Sequence, residues 1–182
     1  MSAVTLKQMT DYIQALGAAD IEHSGKSYLA HAIGVSRDLE TWGCDAELAR
    51  AAVFHSVYGT EYFQKFTLPL DRRGELSELI GERSERFAYW NCAMNRPTFD
   101  EDVFKTAGPY RLRDRFANED VPLSETDFDD VCRIHLCDWL EQVGRSEMWD
   151  YRRDAYAQMA TRLGGVAQES YVRVFGEKNL VS

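Results

Sequence analysis

Residues 23–61 read HSGKSYLAHAIGVSRDLETWGCDAELARAAVFHSVYGTE, and this stretch predicts two consecutive helices. Apolar side chains recur at helical spacing in both halves, and Gly43 separates them. His31 falls on the apolar side of the first predicted helix, and His55 falls on the apolar side of the second. Both imidazoles are therefore expected to face the core.

Capping residues predict where these two helices begin and end. Ser24 is the expected N-cap of the first helix and Asp45 that of the second, because short polar side chains accept hydrogen bonds from the free N–H groups of a first turn. Gly59 is the expected end of the second helix. The second helix is thus predicted to continue through His55.

The rest of the chain predicts an all-α fold with one small β-hairpin. Gly and Pro residues and a change of period interrupt the helical pattern at about residues 110–123, and Ser124 then caps a long helix that carries Asp138. We expect a single domain over residues 1–182. Its expected parts are a core at about residues 23–145, an N-terminal helix at 4–17 ending at Gly17, and C-terminal helices at 146–176 interrupted at Gly164–Gly165.

Composition excludes several classes of partner. The chain has 182 residues, is 45% hydrophobic and carries a formal net charge of −9 without a basic cluster, so nucleic acid is not an expected partner. No apolar stretch is long enough for a membrane span or a signal peptide, and a cytoplasmic location is expected. The four cysteines lack zinc-type spacing and are expected to be reduced structural thiols: Cys44, Cys92, Cys132 and Cys137.

Three polar residues on apolar helix faces form the candidate site. Either histidine alone is readily explained as a hydrogen-bonded core residue, but His31, His55 and an inward Asp138 together match a set of metal ligands. A buried carboxylate without a partner costs several kcal/mol, and a metal ion removes that cost. His23 is a candidate fourth ligand or an exposed loop residue. His135 is a candidate ligand or a group that orients one.

The opening stretch resembles the start of the HD superfamily of metal-dependent phosphohydrolases, especially the hydrolase domains of the stringent-response (RelA/SpoT) enzymes. His31 matches the first histidine of that pattern, His55 the second, and the segment LCDWL at 136–140 matches the helix that supplies the final Asp. The segments FHSVYGTE (54–61) and LPLDRR (68–73) are similar to a smaller, uncharacterised HD-like family, a domain of unknown function.

The resemblance implies that the single domain over residues 1–182 is an HD-like helical bundle. It also implies a divalent metal ion, with Mn, Fe, Zn and Mg not distinguished, and hydrolysis of a small phosphorylated metabolite. One departure matters, because Ser56 stands where the superfamily has a metal-binding Asp and is a much weaker ligand. A mononuclear centre is therefore expected. Ser56, Tyr58 and Glu61 are expected to line the site, with Glu61 as the candidate general base.

Two other functions remain open at this level. Two histidines and one carboxylate are also the ligands of mononuclear non-haem iron oxygenases, which occur in the HD superfamily. Alternatively, Ser56 marks a domain that has lost catalysis and serves as a ligand-binding or interaction module. Lys26, Arg83 and Arg86 are candidate substrate-binding cations, although the two arginines, beside Glu82 and Glu85, equally fit a solvated charged surface. A second copy of the chain, forming a homodimer, is a further candidate partner.

Overall fold

The computed structural model of the chain describes residues 4–18, 21–23, 25–65 and 67–181. It is mostly helical with a small antiparallel hairpin in its second half, which confirms the all-α expectation at that level. The chain forms two compact units, Met1–Met94 and Asn95–Ser182. The single HD-like domain stays a prediction.

The first unit is built from helices and a hairpin whose two strands are each two residues long. Among its described residues, α2 packs against α3, and α5 packs against both α3 and α4. The hairpin pairs Glu22 with Ser27 and was not predicted. The elements in chain order are α1 (Leu6–Ile13), β1 (Glu22–His23), β2 (Lys26–Ser27), α2 (Tyr28–Thr41), α3 (Ala46–Val53), α4 (Arg73–Ile80) and α5 (Glu82–Ala93).

The N-terminal helix behaves as its sequence predicts. Thr5 and Gln8 form a capping box at its start, in which each side chain accepts a hydrogen bond from the backbone N–H of the other residue. A π-helical segment, Gln14–Ala18, follows α1, and Gly17 there adopts a left-handed φ of 91°. The predicted glycine end of this helix is confirmed, since a residue with a Cβ is strained at that φ.

The boundaries of α2 and α3 agree only in part with the predictions. Asp45 caps α3 as predicted, accepting from the N–H groups of Glu47 and Leu48. The observed cap of α2 is Ser27, whose Oγ accepts from the N–H of Ala30 at 3.2 Å, whereas the predicted cap, Ser24, lies outside the described residues.

The prediction that α3 continues through His55 to Gly59 is wrong. The helix ends at Val53, and Phe54 leaves the helical region with φ −113° and ψ 15°. Residues 54–58 form a turn that long-range contacts hold in place, including the bond from the Leu68 N–H to the Val57 carbonyl at 2.8 Å. Gly59 follows this turn with φ 78°, where an added Cβ would lie 2.8 Å from the Thr67 Cγ2 atom.

The second unit contains the predicted hairpin. Strand β3 pairs antiparallel with β4, from Tyr110 opposite Leu123 to Asp114 opposite Glu119, which confirms the hairpin at about residues 110–123. The Asp114 carboxylate accepts from the N–H groups of Phe116 and Ala117 and so holds the turn. The elements are α6 (Arg96–Val103), β3 (Tyr110–Asp114), β4 (Glu119–Leu123), α7 (Glu125–Val143), α8 (Arg153–Leu163) and α9 (Gly165–Val181).

The predicted start and break points of the later helices are also observed. Ser124 caps α7 by accepting from the N–H of Asp127 at 3.1 Å, and the chain breaks between α8 and α9 at Gly164. All four cysteines are free, as expected, and burial raises the pKa of the Cys132 thiol, which keeps it protonated. Within the described residues, no helix has both the length and the apolar character that a membrane span requires.

Candidate metal centre

Two buried imidazoles meet inside the first unit. His31 lies on α2 and is fully buried, and His55 lies in the turn after α3 with 2% of its surface exposed. Their Nε2 atoms are 3.3 Å apart, and the ring planes are nearly perpendicular at 87°. The structure therefore brings together the two predicted histidine ligands, and it does so through the packing of α2 on α3.

The proton of the His55 ring is assigned by its hydrogen bond to the backbone. Nδ1 lies 2.7 Å from the Ala52 carbonyl oxygen, which can only accept, so Nδ1 carries the proton. Nε2 of a neutral His55 then presents a lone pair toward His31. Histidine ligands of metal ions commonly have this arrangement, in which the second ring nitrogen donates to a carbonyl or carboxylate.

The distance between the two Nε2 atoms suits two ligands of one ion. Nitrogen ligands about 2.0–2.1 Å from a zinc-sized ion lie roughly 2.8–3.0 Å apart at octahedral angles and roughly 3.3–3.4 Å apart at tetrahedral angles, so the range is about 2.8–3.4 Å. The observed 3.3 Å falls within that range. The same distance also allows one weak hydrogen bond, from Nε2–H of His31 to Nε2 of His55. Metal binding through Nε2 would then require that the proton of a neutral His31 move from Nε2 to Nδ1.

Asp138, the predicted carboxylate ligand, lies on α7 in the second unit. It is buried and offers a carboxylate oxygen as a ligand atom, and its Oδ1 accepts from Nε2 of Gln142 at 2.8 Å, one helical turn later. The side chains of His23 and Lys26, the remaining predicted ligand and one predicted substrate-binding cation, lie outside the part of the chain that the structure describes.

The predicted catalytic residues lie in and after the turn that carries His55. Ser56 is buried, and its Oγ donates to the hydroxyl oxygen of Tyr28 at 3.1 Å. The Tyr28 ring in turn stacks on Phe63, with centroids 5.4 Å apart. Glu61 is half-buried. Ser56, which stands where the HD pattern has an Asp, is thus hydrogen-bonded to Tyr28 of α2.

Tyr58 belongs to a buried polar network that the sequence did not predict. Its hydroxyl donates to Oε1 of Glu85 at 2.7 Å, and Arg73 donates to both carboxylate oxygens of Glu85 at 2.7 and 3.0 Å. The Arg73 guanidinium also lies over the Tyr89 ring, 3.5 Å from its centroid. This network ties the turn to α4 and α5.

The network also fixes protonation states. Burial, then the hydrogen bond and charge of Glu85, raise the pKa of Tyr58 far above its ordinary value, so its hydroxyl keeps the proton that it donates to Glu85. Burial lowers the pKa of Arg73, but the hydrogen bonds and charge of Glu85 outweigh burial and raise it.

Glu85 corrects the sequence analysis, which placed it on a solvated charged surface. It is 5% exposed. The sequence feature that could have indicated its burial is its position on α5, where Glu85, Ala88 and Cys92 share one helical face with buried apolar neighbours. A carboxylate on such a face needs a cation, and Arg73 provides it from the preceding helix.

Helix α5 contacts the same turn a second time. Nδ2 of Asn91 donates to the His55 carbonyl oxygen at 2.7 Å, and Sγ of Cys92 donates to that oxygen at 3.2 Å. Asn91 is 1% exposed. No chemistry was predicted for it, because an isolated Asn within a helical pattern carries no sequence signal for such a role.

The two predicted substrate-binding arginines lie at the surface of the first unit. Arg83 donates to the Asp45 carboxylate at 2.9 Å and to Glu47 at 3.4 Å, so it binds the acidic start of α3. Arg86 is exposed, with its guanidinium 5.3 Å from the centroid of the Trp90 ring. Arg83 thus forms ion pairs of the kind expected of a charged surface.

His135 has a different environment, within the second unit. Its Nε2 accepts from Nη1 of Arg152 at 2.6 Å, and the Tyr156 hydroxyl lies 3.4 Å from the same atom. Arg152 also binds both carboxylate oxygens of Asp100. Because a guanidinium can only donate, it occupies the lone pair that a metal ion would need. Of the two roles left open for His135, binding a metal through Nε2 is disfavoured in this arrangement.

Comparison with known proteins gives a match to a family model in the first half of the chain. Residues 12–96, slightly less than half of the chain, match the family described as Domain of unknown function (DUF6817). The matched range includes both histidines of the pair and the helix that contacts the His55 turn. An uncharacterised family is thus supported for this part of the chain. No curated protein and no solved structure matches.

Proposed function

We propose that this chain is a divergent HD-like protein that binds one divalent metal ion and hydrolyses a small phosphorylated metabolite. The observation that carries the metal site is the buried His31–His55 pair, with Nε2 atoms 3.3 Å apart and the Nδ1 proton of His55 held by a carbonyl. On the sequence pattern, Asp138 is the proposed third ligand and His23 a further one.

A divalent ion held there would act as a Lewis acid toward a phosphoester oxygen. The chain's own residues would support it in defined ways. Neutral His31 and His55 supply nitrogen ligands, and the half-buried Glu61 is the proposed general base. Ser56 and Tyr58 each donate to a protein oxygen, and we assign them to shaping the wall of the site.

Two alternatives rest on particular observations. Two histidines with one carboxylate would also suit mononuclear non-haem iron, and the reaction would then be oxidation of a small polar substrate. The 3.3 Å contact equally satisfies a hydrogen bond between the imidazoles, which favours a non-catalytic binding module. The metal content and the identity of the metal separate these functions.

The first experiment is elemental analysis of freshly purified protein, compared with the variants His55→Ala and Asp138→Asn. We expect about one equivalent of metal in the wild type, little in H55A, and reduced occupancy in D138N if Asp138 is a ligand. Circular dichroism melting confirms that each variant is folded. No metal in the wild type, even after incubation with Zn²⁺, Mn²⁺ and Fe²⁺, would contradict the proposal.

The reaction class is tested on the metal-loaded protein. If the wild type hydrolyses phosphomonoester or phosphodiester substrates and H55A does not, the result supports the hydrolase. Oxygen consumption by the iron form, without hydrolysis, would favour the oxygenase, whereas a metal-free folded protein without either activity would favour the binding module.

A further inference from the structure

We propose that Asn91 is a positioning residue for His55: its amide holds the backbone of the turn so that the His55 imidazole faces His31. This inference rests on the proposed metal site and adds a residue to it. Asn91 acts through the His55 carbonyl, to which its side-chain amide donates at 2.7 Å.

The need for such a residue follows from where α3 ends. His55 lies two residues beyond Val53, and its own N–H bonds to the Ala52 carbonyl at 3.3 Å, a three-residue spacing. The regular four-residue ladder of an α-helix therefore does not orient this residue. A ligand in a turn needs other contacts to stay in one direction, because its backbone dihedrals are less constrained.

Helix α5 supplies these contacts. The His55 carbonyl accepts from Asn91 and Cys92, and three residues later Tyr58 donates to Glu85 on the same helix. The turn is thus held at two points by one helix that itself packs on α3 and α4. Of the two hydrogen bonds to the carbonyl, the one from the Asn91 amide is shorter and stronger, since a thiol is a weak donor.

The imidazole direction depends on this anchor. His55 Nδ1 reaches the Ala52 carbonyl at 2.7 Å only if the backbone of the turn keeps its present dihedrals. A displacement of the turn away from α5 would move the Cα atom of His55, and with it the imidazole, relative to His31 and change the 3.3 Å distance. Groups that hold metal ligands in place affect metal affinity by about 10–100-fold when they are removed.

The test uses Asn91→Asp, which keeps the shape but removes the amide donor, and Asn91→Leu, which removes both polar groups. The matched control is Phe87→Leu on the same helix, where a fully buried ring that packs on Trp90 is reduced. Zn²⁺ affinity is measured by competition with a chelator, and unfolding in urea is measured for each metal-free protein. We expect at least about tenfold weaker Zn²⁺ binding in both Asn91 variants and a change within about twofold in F87L, even at equal loss of stability.

A second readout needs no metal. Nitrogen-15 NMR of the histidine side chains in the metal-free protein should show His55 with its proton on Nδ1 in the wild type and in F87L. In N91D and N91L this tautomer signal should shift or broaden. Cys92→Ala should have a smaller effect in both measurements, because it removes the weaker donor.

The two proposals fail in different ways. If the wild type binds no metal, the proposed function is wrong, and the NMR spectra alone decide whether Asn91 orients His55. If the wild type binds Zn²⁺ but a folded N91D or N91L binds it as tightly and keeps the His55 signal, Asn91 is only a structural residue and this inference is overturned.

Discussion

His55 in the first unit and His135 in the second are both buried, and both lie among aromatic rings, but their Nε2 atoms have opposite surroundings. Nε2 of His55 faces another imidazole at 3.3 Å, whereas Nε2 of His135 accepts from the Arg152 guanidinium at 2.6 Å. An imidazole can change between donor and acceptor, but a guanidinium always donates. Only the first arrangement can be converted into a pair of neutral nitrogen ligands, by moving one proton from Nε2 to Nδ1 of His31.

The comparison shows that burial of a histidine does not distinguish a ligand from a structural residue. The chemical character of the group next to Nε2 distinguishes the two. In the second unit, Arg152 joins His135 to the Asp100 carboxylate, while Tyr156 stacks on the His135 ring with centroids 5.6 Å apart. These contacts occupy the Nε2 lone pair of His135, so this atom is held by a donor instead of facing another imidazole.

The largest expected difference between the two sites is in metal binding. His135→Gln should keep about one equivalent of bound metal, because its ring is committed to Arg152, whereas His55→Gln should lose it. Elemental analysis after chelator treatment and reloading measures both variants. Loss of metal from a folded H135Q to the same extent as from H55Q would break the distinction between the two histidines.

The next largest difference concerns the two arginine–carboxylate pairs, Arg73–Glu85 and Arg152–Asp100. Removing a carboxylate costs most where the remaining cation is least exposed, and the side-chain exposure is 35% for Arg73 and 11% for Arg152. We expect Asp100→Ala to lower the free energy of unfolding by about 3 kcal/mol and Glu85→Ala by about 2 kcal/mol.

Urea unfolding at neutral pH measures both losses, with the double variant D100A/R152M as the control. This variant removes the charge that D100A leaves behind and should recover part of the stability. A smaller loss in D100A than in E85A, or no recovery in the double variant, would show that the exposure of the remaining cation does not set the cost.

The smallest expected difference is in alkaline stability. Burial raises the pKa of Tyr58 and of Tyr156, but Glu85 adds to the shift at Tyr58, whereas Arg152 and Arg96 oppose it at Tyr156. Each folded tyrosine keeps its proton at a pH where the unfolded chain, with a pKa of about 10, loses it. The contribution of these groups to the free energy of unfolding is therefore fully present below a pH of about 10 and decreases as the pH rises above that value.

Tyr58→Phe and Tyr156→Phe should each flatten the loss of stability between pH of about 9 and 11 by a similar amount, because both folded tyrosines keep their protons in that range and only the unfolded chain ionises. Urea midpoints across that range give the slopes. Equal slopes in the wild type and Y58F would mean that Tyr58 does not ionise in the unfolded chain within this range or is less perturbed than its contacts with Glu85 imply.

Local features of the fold were predictable because their causes lie within a few residues. The Asp45 and Ser124 caps satisfy N–H groups two or three residues away, and the hairpin over Tyr110–Leu123 follows from a change of period and its turn residues. The inward position of His31 likewise followed from helical spacing, whereas His55 is buried although the helix that predicted its direction ends at Val53.

The sequence by itself thus determined the helical class, the hairpin and the pair of buried imidazoles. Only the tertiary structure decided that α3 stops at Val53, that Glu85 is buried against Arg73 and Tyr58, and that Asn91 holds the His55 carbonyl. The physical reason is distance along the chain. The partners of Glu85 lie 12 and 27 residues away and that of Asn91 lies 36 residues away, and no local period records which side chain will meet a given donor or charge.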